Sequence, residues 1–162
     1  MGMMFVKGDE KVKEIVLLAY GMEYGLEEFY STLALESGDP EVTEILTRLS
    51  RVEENHQKKL FELYLTLGPD PVDRETFESK RVSEMMEGGF TTGEFLQQHR
   101  DTMNTVPEIV SIAMMLETQA LDLYLRFSQK VKDEKSKNVL YEIGDEEKAH
   151  LEMLGRLLEK KI

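Results

Sequence analysis

The sequence predicts an all-α protein: an antiparallel four-helix bundle built from two duplicated helical hairpins, joined by a long crossover with short extra helices. Three observations carry this. Apolar residues recur in steps of three and four along four long segments, the spacing of a helix seam, and no stretch alternates like a strand. Only four prolines are present and the 11 glycines fall at a few places, so chain-breaking residues set off long uninterrupted segments. Finally, the two hairpins align on each other without a gap at an offset of 94 positions, placing Ala19 on Ala113, Tyr30 on Tyr124, Leu46 on Leu140 and Leu60 on Leu154.

Each element has its own start and stop signals. Asp9 can cap a first helix that runs to about Ser37, where Gly38 stops it. Asp39-Pro40 restarts the chain, because proline in the first turn gives up no helical hydrogen bond. This second helix is expected to reach about Leu67, before Gly68-Pro69. Thr105 and Pro107 open a third helix, reaching about Lys132, and Asp133 caps a fourth that continues almost to Ile162. Links this short force each pair into an antiparallel hairpin, 9–67 and 106–160. The stretch 68–105 between them carries Gly88-Gly89 and two weakly helical pieces, roughly 73–87 and 93–103. It reads as a crossover within one domain spanning 1–162, with Met85-Met86 free to pack on the bundle or on a second subunit.

Composition narrows the function classes. At 162 residues, 41% hydrophobic and 32% charged, the chain suits one soluble globular domain and is too apolar for disorder. No apolar run approaches the roughly 18 residues that span a bilayer. The opening MGMMFVKGDE is too short and too soon charged for a secretory signal, so a cytoplasmic location is expected. A net charge of -12 repels phosphate backbones and anionic lipid surfaces, which argues against nucleic-acid or membrane partners. With no cysteine, disulfides, thiolate metal sites and iron–sulfur clusters are excluded from this chain.

The chemistry lies in the middle of the seams. The first helix reads Val12, Val16, Ala19, Glu23, Leu26, Tyr30, Leu33, and the second Leu46, Leu49, Glu53, His56, Leu60, Leu63, Leu67. The third reads Val110, Ala113, Glu117, Ala120, Tyr124, Phe127, Val131, and the fourth Leu140, Ile143, Glu147, His150, Leu154, Leu157. The repeat pairs Glu23 with Glu117, Glu53 with Glu147 and His56 with His150, whereas surface positions have diverged. Within each hairpin the two glutamates stand about 14 residues either side of the turn, hence roughly 21 Å from it and at one height. In Glu53-Glu54-Asn55-His56 and Glu147-Lys148-Ala149-His150 the outer residues are i and i+3 on one face, able to grip one ion.

A single Glu-x-x-His means little in a glutamate-rich chain, and the competing reading is a salt-bridged or protonated core. Location weighs against it. Buried, unpaired carboxylates cost several kcal/mol each, and no Lys or Arg occupies a seam to neutralise them. Two divalent cations would balance four carboxylates. Glu27, one turn after Glu23, is a candidate seventh ligand, but its repeat mate Leu121 favours the solvated face. Tyr30 and Tyr124 stand either to hydrogen-bond the ligands or to act as amphipathic core residues. His99 has no partner at ligand spacing and reads as a surface residue.

With these residues in place the chain resembles the ferritin-like di-iron carboxylate proteins, and among them the rubrerythrin-like group. Their constellation is one Glu from each of two helices plus a Glu-x-x-His from each of the other two. The resemblance covers 9–67 and 106–160. It implies that Glu53 and Glu147 bridge two metal ions, that Glu23 and Glu117 are terminal ligands, and that His56 and His150 each give one nitrogen. Two irons are implied, with manganese or a mixed pair fitting the same donors, which suit these metals better than copper. The implied activity is oxidoreductase chemistry with peroxide or oxygen, of peroxidase or iron(II)-oxidising type, with electrons from an external reductase. A homodimer fits the resemblance.

The departures matter too. No rubredoxin-like iron–thiolate domain accompanies the bundle in this chain. Ala120 stands where rubrerythrins carry an additional carboxylate, which withdraws any metal shift that depends on it. Glu54 follows the second-helix Glu where bacterioferritins place a haem-binding Met. The alternatives are a non-enzymatic metal-binding or iron- or oxidant-sensing module, and a structural bundle with a vestigial site. Because the repeat duplicates the ligands, the two halves of the centre are expected to be nearly symmetric.

Overall fold

The structure, a computed structural model, describes residues 12–67, 73–80, 92–99, 101 and 103–162. Six helices follow in order: α1 Val12–Glu36, α2 Pro40–Leu65, α3 Arg74–Lys80, α4 Thr92–His99, α5 Val106–Lys130 and α6 Glu134–Lys161. No strand occurs among the described residues. The start signals act as expected. Asp39 accepts from the backbone amides of Glu41 and Val42, and Asp133 from that of Ser136. Thr105 and Glu108 form a reciprocal capping box with Pro107 in the first turn. The ends fall slightly short of expectation: α2 closes at Leu65, with the Thr66 amide bonding back to Leu63, and α5 closes at Lys130. Asp9, Gly68-Pro69, Met85-Met86 and Gly88-Gly89 lie outside the described residues.

α1 packs along α2 and α5 along α6, each pair an antiparallel hairpin. The core divides into two apolar clusters that reveal how the hairpins meet. One gathers Leu26, Phe29 and Leu33 late in α1, Val42, Leu46 and Leu49 early in α2, Val110 and Ala113 early in α5, and Leu154 and Leu157 late in α6. The other gathers Ile15, Val16 and Ala19 early in α1, Leu60 and Leu63 late in α2, Tyr124 and Phe127 late in α5, and Leu140 and Ile143 early in α6. The two hairpin turns are therefore at opposite ends of the bundle, and α1 runs antiparallel to α5.

This arrangement explains the crossover. The chain leaves α2 at one end and must enter α5 at the other, a distance of about 37 Å for helices of 25 residues at 1.5 Å per residue. Along the way α3 inserts Phe77 among Tyr20, Phe61 and Tyr64, with ring centroids 4.6, 5.1 and 4.7 Å away. Tyr20 donates a 2.6 Å hydrogen bond to Glu78, which keeps its hydroxyl partnered at the edge of the core. Further along, α4 sets Phe95 against Phe29 at 5.5 Å in the other cluster. The two short helices thus cover opposite flanks of α1 either side of its seam, which is why Tyr20 and Phe29 are buried although the seam pattern omits them. Among the described residues no helix is long and apolar enough to cross a membrane.

The capping box provides a local check. Thr105→Ala removes the acceptor for the Glu108 amide and is expected to lower stability by about 1 kcal/mol in urea unfolding of the metal-free protein. A difference indistinguishable from zero would mean that Pro107 and packing alone set the start of α5.

Candidate metal centre

Between the two apolar clusters lies a polar layer at mid-height. Glu23 and Glu117 sit close to the midpoints of α1 and α5, each 25 residues long. Glu53 and Glu147 hold the corresponding places in α2 and α6. Because the turns are at opposite ends, only mid-helix residues can stand level with their own repeat mates across the hairpins, and these do. The four carboxylates are fully buried, His56 likewise, and the His150 side chain is 10% exposed.

The six side chains form two overlapping groups. Glu23, Glu53, His56 and Glu147 make one; Glu53, Glu117, Glu147 and His150 make the other; within each group the ligand atoms lie within 4.8 Å of one another. Glu53 and Glu147 belong to both. Around His56 Nδ1, carboxylate oxygens of Glu147, Glu53 and Glu23 stand at 2.9, 3.1 and 3.4 Å. Around His150 Nδ1, those of Glu53, Glu117 and Glu147 stand at 3.6, 3.6 and 4.0 Å. One ring nitrogen carries at most one proton and cannot satisfy three acceptors, so the convergence is one that a metal ion could satisfy.

Hydrogen-bond satisfaction supports the same fit. Among the described residues, six buried side-chain atoms lack a well-directed hydrogen bond, and five belong to this layer: Glu53 Oε1, Glu117 Oε2, His150 Nδ1 and both oxygens of Glu147, one of them despite standing 2.9 Å from His56 Nδ1. Orphaned buried acceptors are costly, and they face inward where a cation would stand. The opposite oxygens are occupied. Tyr124 donates to Glu23 Oε1 at 2.6 Å and Tyr30 to Glu117 Oε1 at 2.7 Å, each tyrosine reaching across to the other hairpin. The two tyrosines thus both orient glutamates and fill the core.

Several partners were not legible as site residues. Glu146 on α6 accepts from His56 Nε2 at 2.6 Å and is held by Lys59 at 3.1 Å, which also reaches Glu142 at 3.0 Å. The repeat could not reveal them, because their mates are Val52, Met153 and Arg48. The six clustered residues therefore match the repeat in identity, but the expected symmetry fails in the distances around the two histidines and in what stands behind them. Glu27 lies outside both groups and accepts from buried Gln57 at 2.7 Å. His99 is half-buried instead of fully exposed, its ring stacked 4.1 Å from Phe95.

In the absence of a cation, protons have to offset the charge. Burial pushes Glu53 and Glu147 well above the usual carboxylate range, and repulsion from the neighbouring carboxylates pushes them further. Burial acts the same way on Glu23 and Glu117. There it is outweighed by the adjacent carboxyls of Glu53 and Glu147, the histidines and the tyrosine hydroxyls, so both are held low. Burial alone would lower His56, but the charge of Glu23 and the contacts with Glu146 and Glu147 prevail and raise it strongly. The hydrogen bond from His56 lowers Glu146 to about 2.

A pH profile follows. Above about pH 5 the unfolded chain has released carboxyl protons that folded Glu53 and Glu147 retain, and above about 6.5 the same holds for His56. Stability of the metal-free protein therefore falls as pH rises from 5 to 8. On the acid side, the lowered Glu146, Glu23 and Glu117 contribute stability that is present above about 4.5 and lost as pH falls. Melting temperatures of metal-free protein from pH 3 to 9 should peak near 5. Metal loading, which displaces the retained protons, should flatten the alkaline slope. A flat metal-free profile between 5 and 8 would contradict the buried cluster.

Comparison with known proteins accords with this geometry. No curated protein matches the chain. A solved structure, a hypothetical protein from Pyrococcus furiosus, is similar with a TM-score of 0.72 and 23% identity, over 94% of this chain and 91% of that one. At that identity the likeness concerns the fold. The rubrerythrin family model matches residues 14–158, which include both hairpins and all six clustered side chains, and the chain accordingly belongs to the rubrerythrin family.

Proposed function

We propose that the layer holds two iron ions and that the protein is an oxidoreductase reacting with peroxide or oxygen, its electrons supplied by an external donor. The observation that carries this reading is the overlap of two four-residue groups that share Glu53 and Glu147. Glu53 and Glu147 would bridge, Glu23 and Glu117 would each close one side, and His56 and His150 would each give Nδ1 to one ion. Oxygen and imidazole donors without thiolate suit iron, with manganese the nearest competitor. Bound iron would supply open coordination positions and two one-electron equivalents. The chain's own contribution is fourfold negative charge to offset two divalent cations, apolar clusters on both sides that exclude water, and two tyrosine hydroxyls that fix the outer oxygens of the terminal glutamates.

Anaerobic loading with iron(II) is expected to give about two ions per chain. His56→Ala and His150→Ala should each retain about one, having lost one nitrogen donor but neither bridge. Glu53→Ala and Glu147→Ala should fall below one, because each removes a ligand common to both groups. The contrary outcome is specific: without a cation to serve, deleting a buried carboxylate should stabilise the fold. Glu variants that melt higher than wild type in the presence of iron(II), with unchanged metal content, would refute the two-metal reading. Multiple-turnover reduction of hydrogen peroxide with a supplied reductant supports the enzyme; one equivalent consumed per centre and no more would indicate a stoichiometric binding or sensing module.

A further inference from the structure

We propose that Glu146, anchored by Lys59, is a positioning residue that makes the two halves of the centre unequal, the His56 half being the tight metal position and the His150 half the exchangeable one. The inference rests on the two-metal reading and goes beyond it, because the six clustered residues themselves obey the repeat.

The asymmetry lies behind the rings. His56 presents Nδ1 to three carboxylates and donates from Nε2 to Glu146 at 2.6 Å. Once a metal displaces the Nδ1 proton, that bond keeps the remaining proton on Nε2 and holds the Nδ1 lone pair toward the cluster, the tautomer a metal ligand requires. Lys59 holds both oxygens of Glu146, at 3.1 and 3.3 Å, and Glu142 at 3.0 Å, which ties α2 to α6 at that point. The His56 ring has no exposure.

Apply the repeat and the same trio should stand behind His150. In its place are Val52, Met153 and Arg48. Arg48 reaches the Met153 sulfur at 3.9 Å, so the positions still meet, but none of the three offers a carboxylate or other oxygen acceptor to an imidazole N–H. Among the described residues no side chain accepts from His150 Nε2, and this ring is 10% exposed. It also stands further from its carboxylates, at 3.6 to 4.0 Å against 2.9 to 3.4 Å for His56. A histidine whose second nitrogen is fixed by a carboxylate binds metal more tightly, typically by about 10- to 100-fold. The half with the free-turning, partly wetted ring is where an ion would leave and be replaced.

The test is a cobalt(II) titration under argon of the full chain stripped of metal, followed by its visible bands and by competition with a chelator. Wild type is expected to fill in two steps separated by about 10- to 100-fold. Glu146→Gln, at a side chain 40% exposed and so tolerant of replacement, should weaken the first step toward the second and leave the second in place. Val52→Glu, which supplies the missing carboxylate behind His150, should strengthen the second step and narrow the gap from the other side. A residue that merely braced the bundle would shift the melting temperature without changing one step selectively. Two equal steps in wild type, or a gap untouched by Glu146→Gln, overturns this inference and leaves the two-metal reading standing. No cobalt(II) uptake overturns both.

Discussion

Four carboxylates and two imidazoles are withdrawn from water in one layer, and the rest of the molecule is arranged around that burden. A bundle of this size would ordinarily fill its middle with leucine. Here the apolar core is interrupted, and each of its two clusters must close off one side of the polar layer. Desolvation alone would force protons onto every carboxylate, yet Glu23 and Glu117 are held low by neighbours placed to favour their charge. The helix lengths follow from the same demand. Ligands paired by the repeat have to sit near mid-helix because the turns lie at opposite ends, and about three turns of seam on either side are needed to seal the layer.

The parts of this arrangement that show in the sequence are those that repeat or punctuate. Asp39-Pro40, Thr105 with Glu108 and Asp133 act through bonds to residues two or three positions away, so local chemistry locates the helix starts. The seam residues are legible because 3.6-residue periodicity singles them out, and from Val16 to Leu33 every one named in α1 is buried. Glu53-x-x-His56 and Glu147-x-x-His150 stand out for the same reason, doubled by the repeat. What escaped detection is what depends on a third element. Tyr20 and Phe29 are buried by Phe77 and Phe95, which arrive from the crossover. Glu146 and Lys59 meet only once α2 lies against α6, and on their own helices both occupy positions that periodicity assigns to the flank.

The tyrosines show how repeat and topology work together. Tyr30 belongs to the first hairpin and serves Glu117 of the second; Tyr124 belongs to the second and serves Glu23 of the first. Because α1 and α5 run antiparallel, the two tyrosines approach the layer from opposite sides, one from each apolar cluster.

The opposed orientation of the hairpins has a mechanical consequence. Neither hairpin owns a complete site: each contributes one Glu and one Glu-x-x-His, and both groups draw residues from both halves. Ions bound in the layer would therefore fasten the two hairpins at the plane where apolar packing is absent, much as a cross-link does, in a chain that has no cysteine to make one. Filling the layer would add a grip between the halves at mid-height to the one the two apolar clusters already give at the ends.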